Sequence, residues 1–347
     1  MRDYAAEYVD KKMEILEHQK FEKAMVTGYE EEYVKVNGIE QYFLHYPAKD
    51  SDTVVVFVHG GPGYAIGYYG YMFRPRNEEF SLVFYDQRGA GKTQFRNNSK
   101  PEEVTLETLL QDLDESVGYL KGKYPGKRIV ILGHSWGSVL GIEYAKHHQD
   151  KVSAYVGCGQ VVDFIEGERA AYKHLLKEIM DSQDNQALEE LKECEDYPDN
   201  LLRISFDKRM QMIQKFRLLQ IKYKDAGFRE GDEATEKMLL ESPTFGEDDM
   251  EILKNYLYVN NHLIGNTLTS YSTSDFKKFN IPVYFIQGRN DYQTTSSCVE
   301  EYCDSLDCPD KKFYWVENTG HLLYLEEPDL YNQFLDEICG RIRELKN

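Results

Sequence analysis

Five residues, Gly133-His134-Ser135-Trp136-Gly137, carry the strongest chemical signal in the chain. The apolar run Arg128–Leu132 precedes them and reads as a strand; Ser138–His148 follows and reads as a helix. A serine between glycines in a strand–turn–helix context sits in a strained turn that lifts its hydroxyl off the sheet. The adjoining helix N-terminus favours developing negative charge. The chemistry expected is nucleophilic acyl transfer from Ser135.

Such a serine needs an oxyanion hole, a base and an acid. His59-Gly60-Gly61-Pro62-Gly63 follows the apolar run Thr53–Val58, and its glycines let backbone N–H groups face a cavity. The N–H groups of Gly61 and of Trp136, the residue after the nucleophile, are the expected oxyanion donors. Gly91-Lys92-Thr93 looks like the end of a phosphate loop but lacks the upstream glycine such a loop requires.

Among nine histidines, His59 and His134 lie inside the two motifs, where the backbone is expected to matter more than the ring. His147 and His148 end a helix, and His18, His45, His174 and His262 lie away from the loops at strand ends. His321, in the loop Asn318-Thr319-Gly320-His321 after the last strand-like run Phe313–Val316, is the expected base. Asp291, after the run Pro282–Ile286, is the expected acid; Asp163, after Val152–Val156, is the alternative. No CxxC pair occurs, and the spacing of Cys298, Cys303 and Cys308 matches no common zinc site, so no metal is expected.

These loops converge only if the strands before them are parallel, because loops after parallel strands open on one edge of a sheet. Glu31–Val36 and Ile39–Tyr46 flank Asn37-Gly38, a two-residue hairpin signal. Six apolar runs follow, from Thr53–Val58 and Leu82–Tyr85 to Phe313–Val316, with Leu106–Tyr124 and Ser138–His148 reading as helices between them. From about Phe164 to Lys278 the pattern is helical only, as in Arg169–Met180 and Lys208–Lys222. The expected fold class is α/β: a mostly parallel eight-stranded sheet, residues 29–163 and 279–347, with a helical cap, 164–278, inserted after the sixth strand. Residues 1–28 are expected to form a helical extension.

With 347 residues and 41% hydrophobic side chains the chain can bury a sizeable core, which excludes wholesale disorder. Forty-one basic against sixty acidic side chains give a net charge of −19, which argues against nucleic acid and anionic membranes as partners. No stretch is long and apolar enough to span a membrane, the N-terminus lacks an apolar signal core, and six sparse cysteines suit a reduced, cytoplasmic setting. Oligomeric state is not legible.

His59–Gly63, Asp86-Gln87-Arg88-Gly89-Ala90-Gly91 and Gly133–Ser138 together resemble the proline iminopeptidase branch of the α/β-hydrolase superfamily, over most of residues 30–345. The resemblance implies a capped serine hydrolase that removes an N-terminal residue, typically proline, from small peptides without a cofactor. It also implies that Asp86–Gly91 braces the oxyanion loop. The chain departs from the branch where carboxylates would meet the substrate ammonium. Tyr292 stands directly after Asp291, and the late cap reads Asn260-Asn261-His262, where relatives place glutamates. Glu166 and Glu168, at the cap entrance, are the expected substitutes. Three readings follow: an aminopeptidase for short peptides, an ester, amide or carbon–carbon bond hydrolase with a small neutral acyl substrate, or a non-catalytic binding protein on the same fold. The intact Ser–Asp–His set argues against the third.

Overall fold

Every side chain of Thr53–Val58 is buried, as a strand covered on both faces requires. This strand, β3, belongs to an eight-stranded sheet in a computed structural model that describes residues 26–74, 79–229, 231–246, 249 and 261–345. The other strands are β1 (Glu30–Val36), β2 (Ile39–Tyr46), β4 (Ser81–Tyr85), β5 (Arg128–His134), β6 (Ala154–Cys158), β7 (Val283–Gly288) and β8 (Lys311–Val316). Their order across the sheet is β1-β2-β4-β3-β5-β6-β7-β8. β1 pairs antiparallel with β2, and β2 antiparallel with β4; all later pairings are parallel. The chain thus has the expected α/β architecture. The hairpin turn is made by Asn37 and Gly38, both with positive φ, at 43° and 83°.

Six helices matter to the site: α1 (Leu106–Lys123), α2 (Trp136–His147), α3 (Phe164–Asp181), α4 (Phe206–Lys222), α5 (Ser296–Ser305) and α6 (Pro328–Glu344). Successive strand residues alternate between two cores. Val54, Val56, Ile129 and Ile131 pack with Leu113 of α1, Leu140 of α2 and Val299 of α5. Val55, Phe57, Val130 and Leu132 pack with Leu335 and Ile338 of α6. This two-sided burial is why the strands read as unbroken apolar runs. A third cluster joins Leu175 and Ile179 of α3 to Ile213 and Phe216 of α4. Between β6 and β7 the described residues form helices and no strand.

Six of the eight strands differ from their sequence-based bounds by one or two residues: β1 and β4 start one residue earlier, β8 starts two earlier at Lys311, and β7 runs from Val283 to Gly288. β5 runs on to His134, and β6 starts at Ala154 and ends at Cys158. For β5 and β6 the reason is main-chain pairing: Gly133 and His134 pair with Gly157 and Cys158, positions that no apolar run marks. The helix expected over residues 1–28 falls almost wholly outside the described residues.

Candidate active site

Ser135 lies between β5 and α2 with φ 53° and ψ −122°, a conformation costly for a residue with a Cβ. Its N–H donates to the carbonyls of Cys158 and Gly159, at 3.0 and 3.1 Å, so β6 holds the turn. Glycine is required at 137, because a Cβ there would stand 1.9 Å from the Val58 carbonyl oxygen. Ser138 closes the turn: its hydroxyl donates to the Ser135 carbonyl at 2.6 Å and accepts from the Val161 N–H at 2.9 Å.

Asp291 and His321, thirty residues apart, meet in the buried interior after β7 and β8. His321 Nδ1 lies 2.9 Å from Asp291 Oδ2. Thr294 holds the Asp291 carboxylate: its hydroxyl donates to Oδ2 at 2.8 Å and its N–H to Oδ1 at 2.9 Å, while the Gln293 N–H also donates to Oδ1 at 2.9 Å. Burial pushes the Asp291 carboxyl up, but His321 and these donors outweigh it and hold the group below the ordinary carboxylate value. A carboxylate on Nδ1 leaves Nε2 as the proton acceptor. Nε2 is buried and has no hydrogen-bond partner, so no bond to the Ser135 hydroxyl is made in this structure. Asp163, the alternative acid, instead caps α3, its Oδ1 accepting from the Glu166 N–H at 2.9 Å.

The ring of His134 contributes directly, contrary to the sequence-based expectation. Its Nε2 lies 3.0 Å from the His321 carbonyl oxygen, to which it must donate, and Nδ1 faces the Tyr324 hydroxyl at 3.4 Å. Burial, then the neighbouring His321, push its pKa down to about 3, so this ring stays neutral.

Gly61 has φ 111°, and a Cβ on it would come within 2.6 Å of the Gly63 and Tyr64 nitrogens. It lines the same cavity as Ser135. Trp136 is the first, fully buried residue of α2. Gln87 joins His59, at the start of the loop that carries Gly61, to the Trp136 side chain. Its N–H donates to His59 Nε2 at 3.0 Å, its side-chain amide donates to the His59 carbonyl at 2.7 Å, and its Oε1 accepts from Trp136 Nε1 at 3.2 Å. His59 Nε2 is therefore an acceptor, and Nδ1 donates to the Gly60 carbonyl at 3.0 Å. Burial lowers the His59 pKa to about 4, which keeps this ring neutral too. Arg88 fixes the same turn from outside by a twofold bond to Asp112 of α1, at 2.8 and 2.9 Å.

The cavity has a volume of about 390 Å³. Its cap side is apolar through Phe164, Met210, Ile213, Leu218, Ile264 and Leu268. The structure separates the two expected ammonium partners. Glu166 is exposed and ion-paired with Arg169, and it does not line the cavity. Glu168 does line it, yet its Oε1 is held by Arg217 of α4 at 2.7 Å and its Oε2 by the Tyr197 hydroxyl. Burial works against the Arg217 charge and Glu168 more than restores it. Tyr292 stacks on His174, ring centroids 3.5 Å apart, and does not line the cavity.

Gln87 lies in the Asp86–Gly91 segment expected to brace the oxyanion loop, and its bonds to His59 and Trp136 are of that kind, whereas His134 as a ring contact, Thr294 and Arg217 were not legible as site residues. Only Thr294 left a signal, an Asp-x-x-Thr spacing in which the carboxylate accepts main-chain N–H groups two and three residues on. Among the described residues no group of three or more His, Cys, Asp or Glu side chains is placed to hold a metal ion. No described helix is long and apolar enough to cross a membrane.

A glycine-framed serine at a strand–helix turn and a buried His–Asp pair, at one edge of a mostly parallel sheet, define a hydrolase-type architecture. The chain belongs to the alpha/beta hydrolase fold family, whose model matches residues 53–328. Within that family its similarity runs to the proline iminopeptidase branch. It is 24% identical over 314 residues to a probable aminopeptidase, YbaC, of Bacillus subtilis (strain 168), covering 89% of this chain and 93% of that one. It is 24% identical over 320 residues to a proline iminopeptidase of Heyndrickxia coagulans, covering 90% and 100%. The crystal structure of a Mycobacterium smegmatis proline iminopeptidase shares the fold with a TM-score of 0.62 at 17% identity, over 92% of this chain and all of that one.

Proposed function

We propose that this chain is a serine hydrolase that cleaves an amide or ester of a small acyl group through an acyl-enzyme. The observation that carries the reading is the 2.9 Å His321–Asp291 pair beside a strained Ser135 that opens on the cavity. Ser135 Oγ attacks the substrate carbonyl carbon, and its proton passes to His321 Nε2. The N–H groups of Gly61 and Trp136 receive the oxyanion. As the tetrahedral species collapses, His321 returns the proton to the leaving amine or alkoxide. Water then repeats the sequence on the acyl-enzyme. Asp291 keeps Nδ1 protonated and stabilises the imidazolium throughout.

Two substrate readings follow. The motifs and the relatives' names support an aminopeptidase that releases an N-terminal, proline-type residue from short peptides. The engagement of Glu168 by Arg217 and Tyr197 favours the second, a small neutral acyl substrate. The shared core of both readings is tested with a fluorophosphonate probe. It should label Ser135, and Ser135→Ala should abolish labelling; labelling that survives the substitution overturns the assignment.

A further inference from the structure

We propose that Arg217 sets the substrate class of this site: by closing an ion pair on Glu168 it fits the cap side of the cavity to an acyl group without an ammonium, such as an N-blocked residue or a simple carboxylic acid. The inference rests on the serine hydrolase reading above and adds to it which acyl groups enter.

Both oxygens of Glu168 are engaged, one by Arg217 at 2.7 Å and one by the Tyr197 hydroxyl. The pair is shielded, with the Glu168 side chain 3% and the Arg217 side chain 20% exposed. A substrate ammonium arriving there would have to displace a guanidinium already bonded to the carboxylate, and would meet like charge while doing so. Asp163, the other carboxylate among the described cavity-lining residues, offers little instead. Its Oδ1 accepts from the Glu166 N–H, and it stands at the N-terminus of α3, where the helix dipole disfavours a cation. The remaining groups that α4 turns to the cavity suit a neutral acyl chain: apolar Met210, Ile213, Leu218 and Ile221, and the uncharged amide of Gln214.

The test compares alanine 4-nitroanilide with N-acetylalanine 4-nitroanilide at about pH 7, below the usual α-amino pKa. Turnover is measured on the wild type, Arg217→Met, Arg217→Lys, Glu168→Gln and the Arg217→Met/Glu168→Gln double variant, with fluorophosphonate labelling of Ser135 as the check on each. The wild type should favour the acetylated substrate by about tenfold or more in kcat/KM. Arg217→Met frees Glu168 and should swing the ratio toward the free amine by about a hundredfold. Arg217→Lys should keep the wild-type preference, and the double variant should lose the swing. Should Arg217→Met not fold, Glu168→Gln carries the test, because an uncompensated Arg217 moves the ratio further toward the acetylated substrate. A wild type that prefers the free amine, or ratios that stay fixed in variants whose Ser135 still labels, overturns the proposal. Failure of the wild type to label at Ser135 overturns the serine hydrolase reading instead.

Discussion

His134 donates from Nε2 to the backbone carbonyl of His321 at 3.0 Å, so the residue before the proposed nucleophile holds the proposed base. The ring centroids stand 4.8 Å apart. His134→Phe keeps the bulk and removes the donor, leaving a buried carbonyl unpaired, which costs about 1–3 kcal/mol. The expected result is a lower melting midpoint and a kcat reduced about tenfold or more with KM little changed, because the base loses its support and the cavity does not. A thermal melt and steady-state kinetics check it; an unchanged kcat argues that the bond only stabilises the fold.

The base and acid roles separate from that support. His321→Ala or Asp291→Asn should lower kcat by about 10³–10⁴, since the serine loses its proton acceptor or the imidazole its tautomer. Asp163→Asn keeps a good helix cap and should leave kcat near the wild type. An effect at Asp163 equal to that at Asp291 contradicts the assignment.

Gln87→Ala removes the side-chain bonds that join the His59 loop to Trp136. Both expected oxyanion donors lose part of their placement. The loss of one such donor elsewhere costs about 10²–10³ in kcat, which sets an upper limit on the expected fall. Slower fluorophosphonate labelling with a normal far-ultraviolet spectrum is the confirming pattern.

Arg88 and Asp112 form a buried pair, their side chains 9% and 1% exposed. Arg88→Met should destabilise the protein by about 3–5 kcal/mol, because a buried carboxylate is left without its partner. Arg96→Met is the control, since Arg96 and Glu40 pair in solvent, about half exposed. Its melting midpoint should stay where it is.

Burial pushes the Asp86 carboxyl up to about 7, with the Lys92 N–H and ammonium only partly opposing it. Below that value the folded protein keeps Asp86 protonated while the unfolded chain ionises it near the ordinary value of about 3.9. The folded state therefore binds more protons across this window, and stability from this group falls as pH rises from about 4 to about 7. Asp86→Asn removes the titration. Its melting midpoint relative to the wild type should improve from pH 5 to pH 8, and a constant difference contradicts the shifted carboxyl.

The sequence by itself determined the skeleton and pointed to the residues proposed to react. Glycine spacing around Ser135, the turn at Asn37-Gly38 and the unbroken apolar runs are local consequences of backbone geometry and two-sided burial, so they are written in adjacent residues. Asp291 and His321 were legible because topology obliges loops after parallel strands to open on one edge. What tertiary structure decided is which polar groups are already engaged. Glu166 and Glu168 lie two residues apart, yet one faces solvent beside Arg169 and the other is enclosed by Arg217 and Tyr197. Only the packing of α4 against α3 puts a guanidinium there, forty-nine residues along the chain. The same holds for His134, whose partner stands 187 residues away, and for the particular partner of Gln87, 49 residues away, although the Asp86–Gly91 segment was itself expected to brace the oxyanion loop. A hydrogen bond between distant residues leaves no periodicity in either segment, so it enters only when the chain has folded.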